Sequence, residues 1–271
     1  MDLLICGTAA AEAWPGLFCT CHACREAARR GGKNLRSRAA YMLGERIRID
    51  FGPDTHLHQQ RYGLQLDRLE HLLVTHSHSD HWYPVELSWR RRGYSVAPDR
   101  VLRVWGNQAV GRSLKEAVGE DLENLKLDFA LLRPWEEADL GAARALAIPA
   151  MHDPSEECLN FVIETDGRRF LLAHDTGWYP DETWRRIAER PLDLALIDCT
   201  YGSQDAIRGH MGCAGVVRAR AELDRLGGLA PGARVVATHF SHNGGWLHEE
   251  LIAYFAPHGI DVAFDGMRLP L

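Results

Sequence analysis

Residues 74–84 read VTHSHSDHWYP, and within them His76, His78, Asp80 and His81 place four metal-ligating side chains in six positions. The segment follows the apolar run HLLVT (71–75), which reads as a strand, and it leads toward a predicted helix. Imidazole and carboxylate together suit ions of the zinc, iron or manganese class. Alternation in an extended loop puts His76 and His78 on one side, leaving Asp80 and His81 to address a second ion. A solvated strand-end loop has no reason to concentrate ligands in this way.

Working outward, short β-rich runs recur along the chain. They fall at 2–6, 38–43, 46–50, 71–75 and 101–105, then at 143–150, 158–164, 169–175, 193–198, 234–239 and 262–265. Helical patterns lie between many of them, at 24–30, 107–118, 181–190, 215–226 and 247–255. Turn signals in IDFGPD (49–54) and IETDGRRF (163–170) read as hairpins. This order predicts two mixed sheets packed face to face with helices outside. No low-complexity tract or linker divides the chain, so 1–271 reads as one domain.

Composition narrows the function classes. Hydrophobic content of 46% with 25% charged residues is that of a globular protein with material for a core. A formal charge of -6 argues against a general grip on nucleic acid. Asp2 and Glu12 break any signal-like or membrane-spanning start, which makes the expected location cytoplasmic. Of seven cysteines, Cys6, Cys158, Cys199 and Cys213 lie singly in apolar or small-residue surroundings and read as reduced core thiols.

The arrangement H-x-H-x-D-H after a strand resembles the signature of the metallo-β-lactamase superfamily of hydrolases. That resemblance implies an α/β (α+β) fold, the four-layer αββα metallo-β-lactamase sandwich, with a dinuclear site at one sheet edge. His152 in PAMHDP, Asp175 in LLAHDTG and His239 in VVATHFSH follow the family's order and strand-end placement. By resemblance, His76, His78 and His152 hold one ion, Asp80, His81 and His239 the other, and Asp175 bridges them. Asp50 in IRIDFGPD resembles the aspartate that supports the metal loop from behind. His174 departs from the small residue often found before the bridging aspartate, and strand alternation points it away from the ions. His22, His56, His58, His71, His248 and His258 show no partner in the sequence and default to surface or structural roles.

A second cluster, FCTCHAC (18–24), carries Cys19, Cys21 and Cys24. The x2 spacing is that of a zinc knuckle, and His242 in THFSH, three residues after His239, supplies a fourth ligand. A Cys3His set leaves no open position, so this zinc is expected to be structural. The cysteine loop, H-x-H-x-D-H, THxSH and the terminal FDGM (264–267) together resemble the phosphoribosyl 1,2-cyclic phosphate phosphodiesterase group of the carbon-phosphorus lyase pathway. That resemblance implies two divalent ions, manganese or zinc, and hydrolysis of a small cyclic phosphodiester by a bridging hydroxide, with Asp80 and Asp175 at the reacting centre.

By the same resemblance, His210 in IRGHMGC acts as general acid or phosphate contact, although Met211 and Gly212 differ from the group's pattern. The expected partner is a small phosphorylated substrate, with no membrane and no nucleic acid, and a homodimer is left open. Arg90, Arg91 and Arg92 read first as a solvated face and second as phosphate steering. Trp82 and Tyr83 serve either packing or the pocket mouth. Rival readings are a tRNA 3′-processing nuclease, a lactone, thioester or β-lactam hydrolase, a pyrroloquinoline quinone biosynthesis relative, and a metal-binding protein without activity.

Overall fold

The computed structural model describes residues 1–96 and 100–271. Along the first half run β1 (Asp2–Gly7), α1 (His22–Arg30), β2 (Ala40–Leu43), β3 (Ile47–Ile49), α2 (Thr55–Tyr62), β4 (His71–Leu73), β5 (Leu102–Gly106), α3 (Gln108–Val118) and β6 (Leu127–Leu131). The second half adds β7 (Glu137–Asp139), β8 (Arg144–Pro149), β9 (Leu159–Thr165), β10 (Arg168–Ala173), α4 (Asp181–Ala188), β11 (Leu192–Asp198), α5 (Cys213–Arg225) and β12 (Leu229–Thr238). It closes with α6 (His248–Phe255), β13 (Ile260–Val262) and β14 (Arg268–Pro270).

Two sheets form among the described residues, one ordered β14, β1, β2, β3, β4, β5, β6 and the other β13, β12, β11, β10, β9, β8, β7. The last strand thus pairs with the first, across β1 and β14. Side-chain alternation sorts each strand between two environments. Leu3, Ile5, Tyr41, Leu43, Ile47, Ile49 and Leu73 of the first sheet join Leu159, Phe161, Phe170 and Leu196 of the second in one buried cluster. On the outer face of the first sheet, Leu4, Met42, Leu72 and Val104 pack against Val110, Leu114 and Val118 of α3. Each such aliphatic side chain contributes about 1.5–3 kcal/mol on burial. Helices outside and two sheets inside give the αββα sandwich expected from the sequence.

Topology then decides where loops emerge. Strands β3 to β6 run parallel, as do β10 to β13, and β8 is antiparallel to β9, which is antiparallel to β10. Residues just past β3, β4, β8, β10, β11 and β12 therefore reach the same edge of the sandwich. Parallel pairing requires crossovers, which the helices supply. Among the described residues no helix is long and apolar enough to cross a membrane.

Two local expectations are corrected. IDFGPD opens not a hairpin but the α2 crossover between parallel β3 and β4. The segment after the metal-ligand motif is a 3-10 run, Pro84–Arg90, rather than an α-helix. Gly52 makes the first of these turns feasible, because a Cβ there would sit 1.9 Å from the Asp80 main-chain oxygen.

Candidate metal centre

Six strand ends bring their polar residues together at that edge. Three of them, Asp50, Asp175 and His239, adopt left-handed backbone with φ of 61°, 50° and 59°. For a non-glycine residue this is strained by about 1 kcal/mol or more, and it persists only where surrounding contacts enforce it. Here it turns each side chain out of its strand direction and into the cluster.

His76, His78 and His152 form one group, with ligating atoms all within 4.8 Å of one another. Asp80, His81, Asp175 and His239 form a second by the same measure. Asp175 faces both: its Oδ2 lies 3.0 Å from His239 Nε2 and against His81 Nε2, and its Oδ1 lies 4.0 Å from His152 Nε2. Asp80 Oδ2 is 2.9 Å from His81 Nε2. The structure thus brings together all seven residues named from the motif, divided as the resemblance implies.

The outward nitrogen of each imidazole has its own partner. His76 Nδ1 meets Thr75 Oγ1 at 3.0 Å, His81 Nδ1 meets Asp50 Oδ2 at 2.8 Å, and His239 Nδ1 meets Thr200 Oγ1 at 2.8 Å. His152 Nδ1 faces the Gly209 carbonyl at 3.3 Å, and His78 Nε2 faces Asp153 Oδ2 at 3.0 Å. Such partners fix the tautomer and leave the inward nitrogen's lone pair for a cation. His76 Nε2 is buried with no hydrogen-bond partner. His78 Nδ1 and His152 Nε2 stand 3.2 Å apart, and His81 Nε2 and His239 Nε2 3.4 Å apart. Two nitrogens on one tetrahedral zinc would stand about 3.3 Å apart. The donor set fits two divalent ions.

The electrostatics agree. Burial pushes His76 and His152 below the usual imidazole range, so both are neutral, as ligands must be. Burial also opposes charge on His81, but the carboxylates of Asp80, Asp175 and Asp50 more than reverse this and hold it well above that range. Burial likewise works against ionised Asp175, yet His239 and His81 keep its carboxyl well below the usual value. A cluster this rich in negative charge attracts a cation of some kind, and a divalent ion meets the demand better than one proton.

Behind the two clusters, Asp50 is fully buried and accepts from the Thr75 amide at 2.9 Å and from His174 Nε2 at 2.8 Å. His174 therefore stands beside the centre, stacked on His81, and braces Asp50 rather than ligating. The residue missed in the sequence is Asp198, at the end of β11. Its Oδ2 accepts from the Asp175 amide at 3.0 Å, from Thr200 Oγ1 at 2.9 Å and from His210 Nδ1 at 3.2 Å. Its Oδ1 accepts from the Thr200 and Met211 amides. The available signal was its place at a strand end in DLALID, like Asp50 and Asp175. His210 lies 3.4 Å from Asp175 Oδ1. Burial lowers its pKa, and the Asp198 and Asp175 carboxylates override this and take it to about 9.

The remaining candidates sort by contact. Trp82 is buried, with its indole N–H on Ser113 Oγ, so it packs, whereas Tyr83 is exposed. Arg90 donates to the carbonyls of Leu125, Arg100 and Lys126, while Arg91 and Arg92 are solvated. His22, His56 and His258 are exposed, and His58, His71 and His248 are structural. Cys6, Cys158, Cys199 and Cys213 are buried free thiols.

Cys19, Cys21, Cys24 and His242 converge as a separate group within the same 4.8 Å limit. His242 Nδ1 lies 3.7 Å from Cys19 Sγ and 3.6 Å from Cys21 Sγ. A tetrahedral zinc site has sulfur–nitrogen edges of about 3.6 Å. The opposite ring nitrogen, Nε2, faces Glu12 Oε1 at 3.4 Å, again a carboxylate behind an imidazole. Cys21 caps α1 and accepts from the Cys24 amide. Burial opposes its thiolate, but that amide and the neighbouring thiols and His242 bring its pKa down to about 7.

Fold and site together define a metal-binding hydrolase scaffold. The chain belongs to the beta-lactamase superfamily, whose domain model matches residues 45–240. Ribonuclease Z of Bradyrhizobium diazoefficiens is 29% identical over 133 residues, which are 48% of this chain and 44% of that protein, less than half its length. A diphosphatase of the PhnP family is similar in structure with a TM-score of 0.79 at 20% identity, covering 100% of this chain and 97% of its own. Zinc-bound PqqB from Methylobacterium extorquens gives 0.77 at 19% identity with both chains fully covered, 100% each. At these identities the structural likeness speaks for the fold.

Proposed function

We propose that the protein is a dinuclear metal-dependent phosphodiesterase that opens a small cyclic phosphodiester, such as ribose 1,2-cyclic phosphate or a cyclic nucleotide. His76, His78 and His152 would hold one divalent ion, Asp80, His81 and His239 the other, with Asp175 between them, and a separate zinc would sit on Cys19, Cys21, Cys24 and His242. When bound, the catalytic pair supplies a water of lowered pKa and neutralises charge on the phosphoryl oxygens. Everything else falls to the chain's own groups.

The observation that carries the reading is His210. An alkoxide is a poor leaving group and needs a proton as the P–O bond breaks. Nδ1–H of His210 is held by Asp198, and Nε2 has no protein partner among the described residues. The Asp198 and Asp175 carboxylates favour the protonated ring, whose Nε2–H can be delivered to the departing ribose oxygen. Asp198 keeps the ring oriented and compensates its charge, and through the Asp175 amide it ties the acid to the bridging carboxylate.

The match to ribonuclease Z supports a second reading, a nuclease acting on tRNA 3′ ends. The two separate in one experiment. Protein loaded with manganese or zinc is assayed on ribose 1,2-cyclic phosphate, 2′,3′-cyclic nucleotides, pre-tRNA and a lactone. Highest kcat/KM on a cyclic phosphodiester is expected. Preference for pre-tRNA selects the nuclease, and preference for the lactone removes phosphodiester chemistry altogether.

A further inference from the structure

We propose that Arg48 and His58 are positioning residues that hold the Asp50 turn, so that Asp50 keeps the inward nitrogen of His81 aimed into the second cluster. This rests on the metal-centre reading. Arg48 lies in the middle of β3 on the outer face, in register with Met42 and Leu72, and is wholly buried. A methionine or leucine would satisfy that apolar neighbourhood, so packing alone gives no reason for a guanidinium. Among the described residues Arg48 has no ion pair; its hydrogen bonds go elsewhere.

Arg48 Nε donates to the Asp50 main-chain oxygen at 2.9 Å. Its Nη2 donates to Thr55 Oγ1 at 3.2 Å and to His58 Nδ1 at 3.3 Å. Thr55 Oγ1 in turn donates to the Gly52 oxygen at 2.7 Å, so both ends of the turn from 50 to 55 are tied. His58 is fixed from the far side: its Nε2 donates to Ser37 Oγ at 2.8 Å, and Ser37 Oγ donates to Asp265 Oδ2 at 2.7 Å. That bond sets the tautomer that leaves Nδ1 free to accept from Arg48.

The link to the metal centre is Asp50 itself. Its φ of 61° is a conformation a non-glycine residue holds only under constraint, and it aims the carboxylate at Thr75, His81 and His174. A relaxed Asp50 would release His81 Nδ1 and with it the direction of Nε2. A buried cation costs free energy that a purely apolar outer layer would avoid. The turn it secures is the return on that cost.

The test uses cobalt(II) titration of the full chain, followed by visible absorption, with the thiolate-to-cobalt band of the cysteine site as internal control. Arg48→Met is expected to weaken cobalt binding at the histidine and aspartate site by about tenfold or more and to shift its ligand-field bands, as losses behind a ligand do. The cysteine-site band should not move, and Arg48→Lys should recover part of the affinity. Arg48→Met with wild-type affinity and spectrum overturns the proposal, even if its Tm falls. Should Arg48→Met fail to fold, Thr55→Val carries the same measurement, and unchanged binding there overturns it equally. Wild-type protein that takes no cobalt outside the cysteine site refutes the metal-centre reading itself.

Discussion

Replacing Asp198 by Asn keeps the side chain's shape and removes its charge, in a place where five donors converge on two oxygens. An amide nitrogen at the Oδ1 position confronts the Thr200 and Met211 N–H groups; at Oδ2 it confronts Asp175, Thr200 and His210. The better choice still strands two buried donors. Hydrogen bonds to a charged group contribute about 1.5–3 kcal/mol each, so the loss is about 3–6 kcal/mol, much of a domain's stability. The effect on rate depends on pH. In the wild type His210 has a pKa of about 9 and is mostly protonated at pH 8. Without the Asp198 charge, burial opposes the cationic ring with only Asp175 against it, so the pKa falls from about 9 toward the ordinary imidazole range and the protonated fraction at pH 8 drops. Activity should fall about tenfold or more at pH 8 and by far less near pH 6.5. The assay is kcat across pH 6–9 on the metal-loaded variant, with metal content measured in parallel and stability by denaturant titration. A kcat loss of equal size at every pH, with metals retained, refutes the acid role.

His152→Ala should cost about one equivalent of the catalytic metal while the cysteine-site zinc stays, as measured by elemental analysis, because only the first cluster loses a nitrogen. Cys21→Ser should do the reverse, releasing about one zinc and sparing the catalytic pair; retention of both would break the division of labour between the two sites. His58 provides a pH test of stability. Burial, then Arg48 and Arg61, lower its pKa to about 2, against an ordinary imidazole value in the unfolded chain. The unfolded state therefore binds the extra proton as pH falls below about 6.5, and stability declines through the window down to about 2. Between pH 7 and 5 this group alone removes about 2 kcal/mol. Denaturant midpoints for His58→Gln should show a correspondingly flatter slope, and an identical slope would mean that the buried ring is not neutral.

How far the sequence could be read depends on where information resides. The strands that line the core announced themselves, because short apolar runs such as DLALID and CLNFVIE, bounded by polar residues, have few other uses. The candidate ligands were legible because a metal demands particular atoms and the motif crowds four of them into one loop. Short β7 and β14 are edge strands of three residues each, below the length at which alternation can be recognised. Helix α2 was invisible for a different reason: His56, Gln59, Gln60 and Arg61 are exposed, and no apolar stripe marks the helix. Its order comes from Gly63 in a left-handed cap and from the bonds that Thr55 and His58 make to Arg48. The turn before it was misread as a hairpin for the same reason, since IDFGPD has the residues of a tight turn and nothing in it distinguishes an ensuing helix from a returning strand.

Asp198 shows the limit most clearly. Asp50, Asp175 and Asp198 all end apolar strands, and nothing local distinguishes them. Their roles differ only through what the other strands bring: Asp175 meets imidazole nitrogens on both sides, Asp50 meets the backs of two rings, and Asp198 meets backbone amides and His210. A strand-end aspartate in a parallel sheet is therefore a candidate whose function is assigned by its neighbours' topology. In this chain the same rule extends one layer outward. The turn that carries Asp50 is held by Arg48 from the opposite face of the sheet, so the reach of the metal centre passes through the sheet into a layer that the ligand motif does not mention.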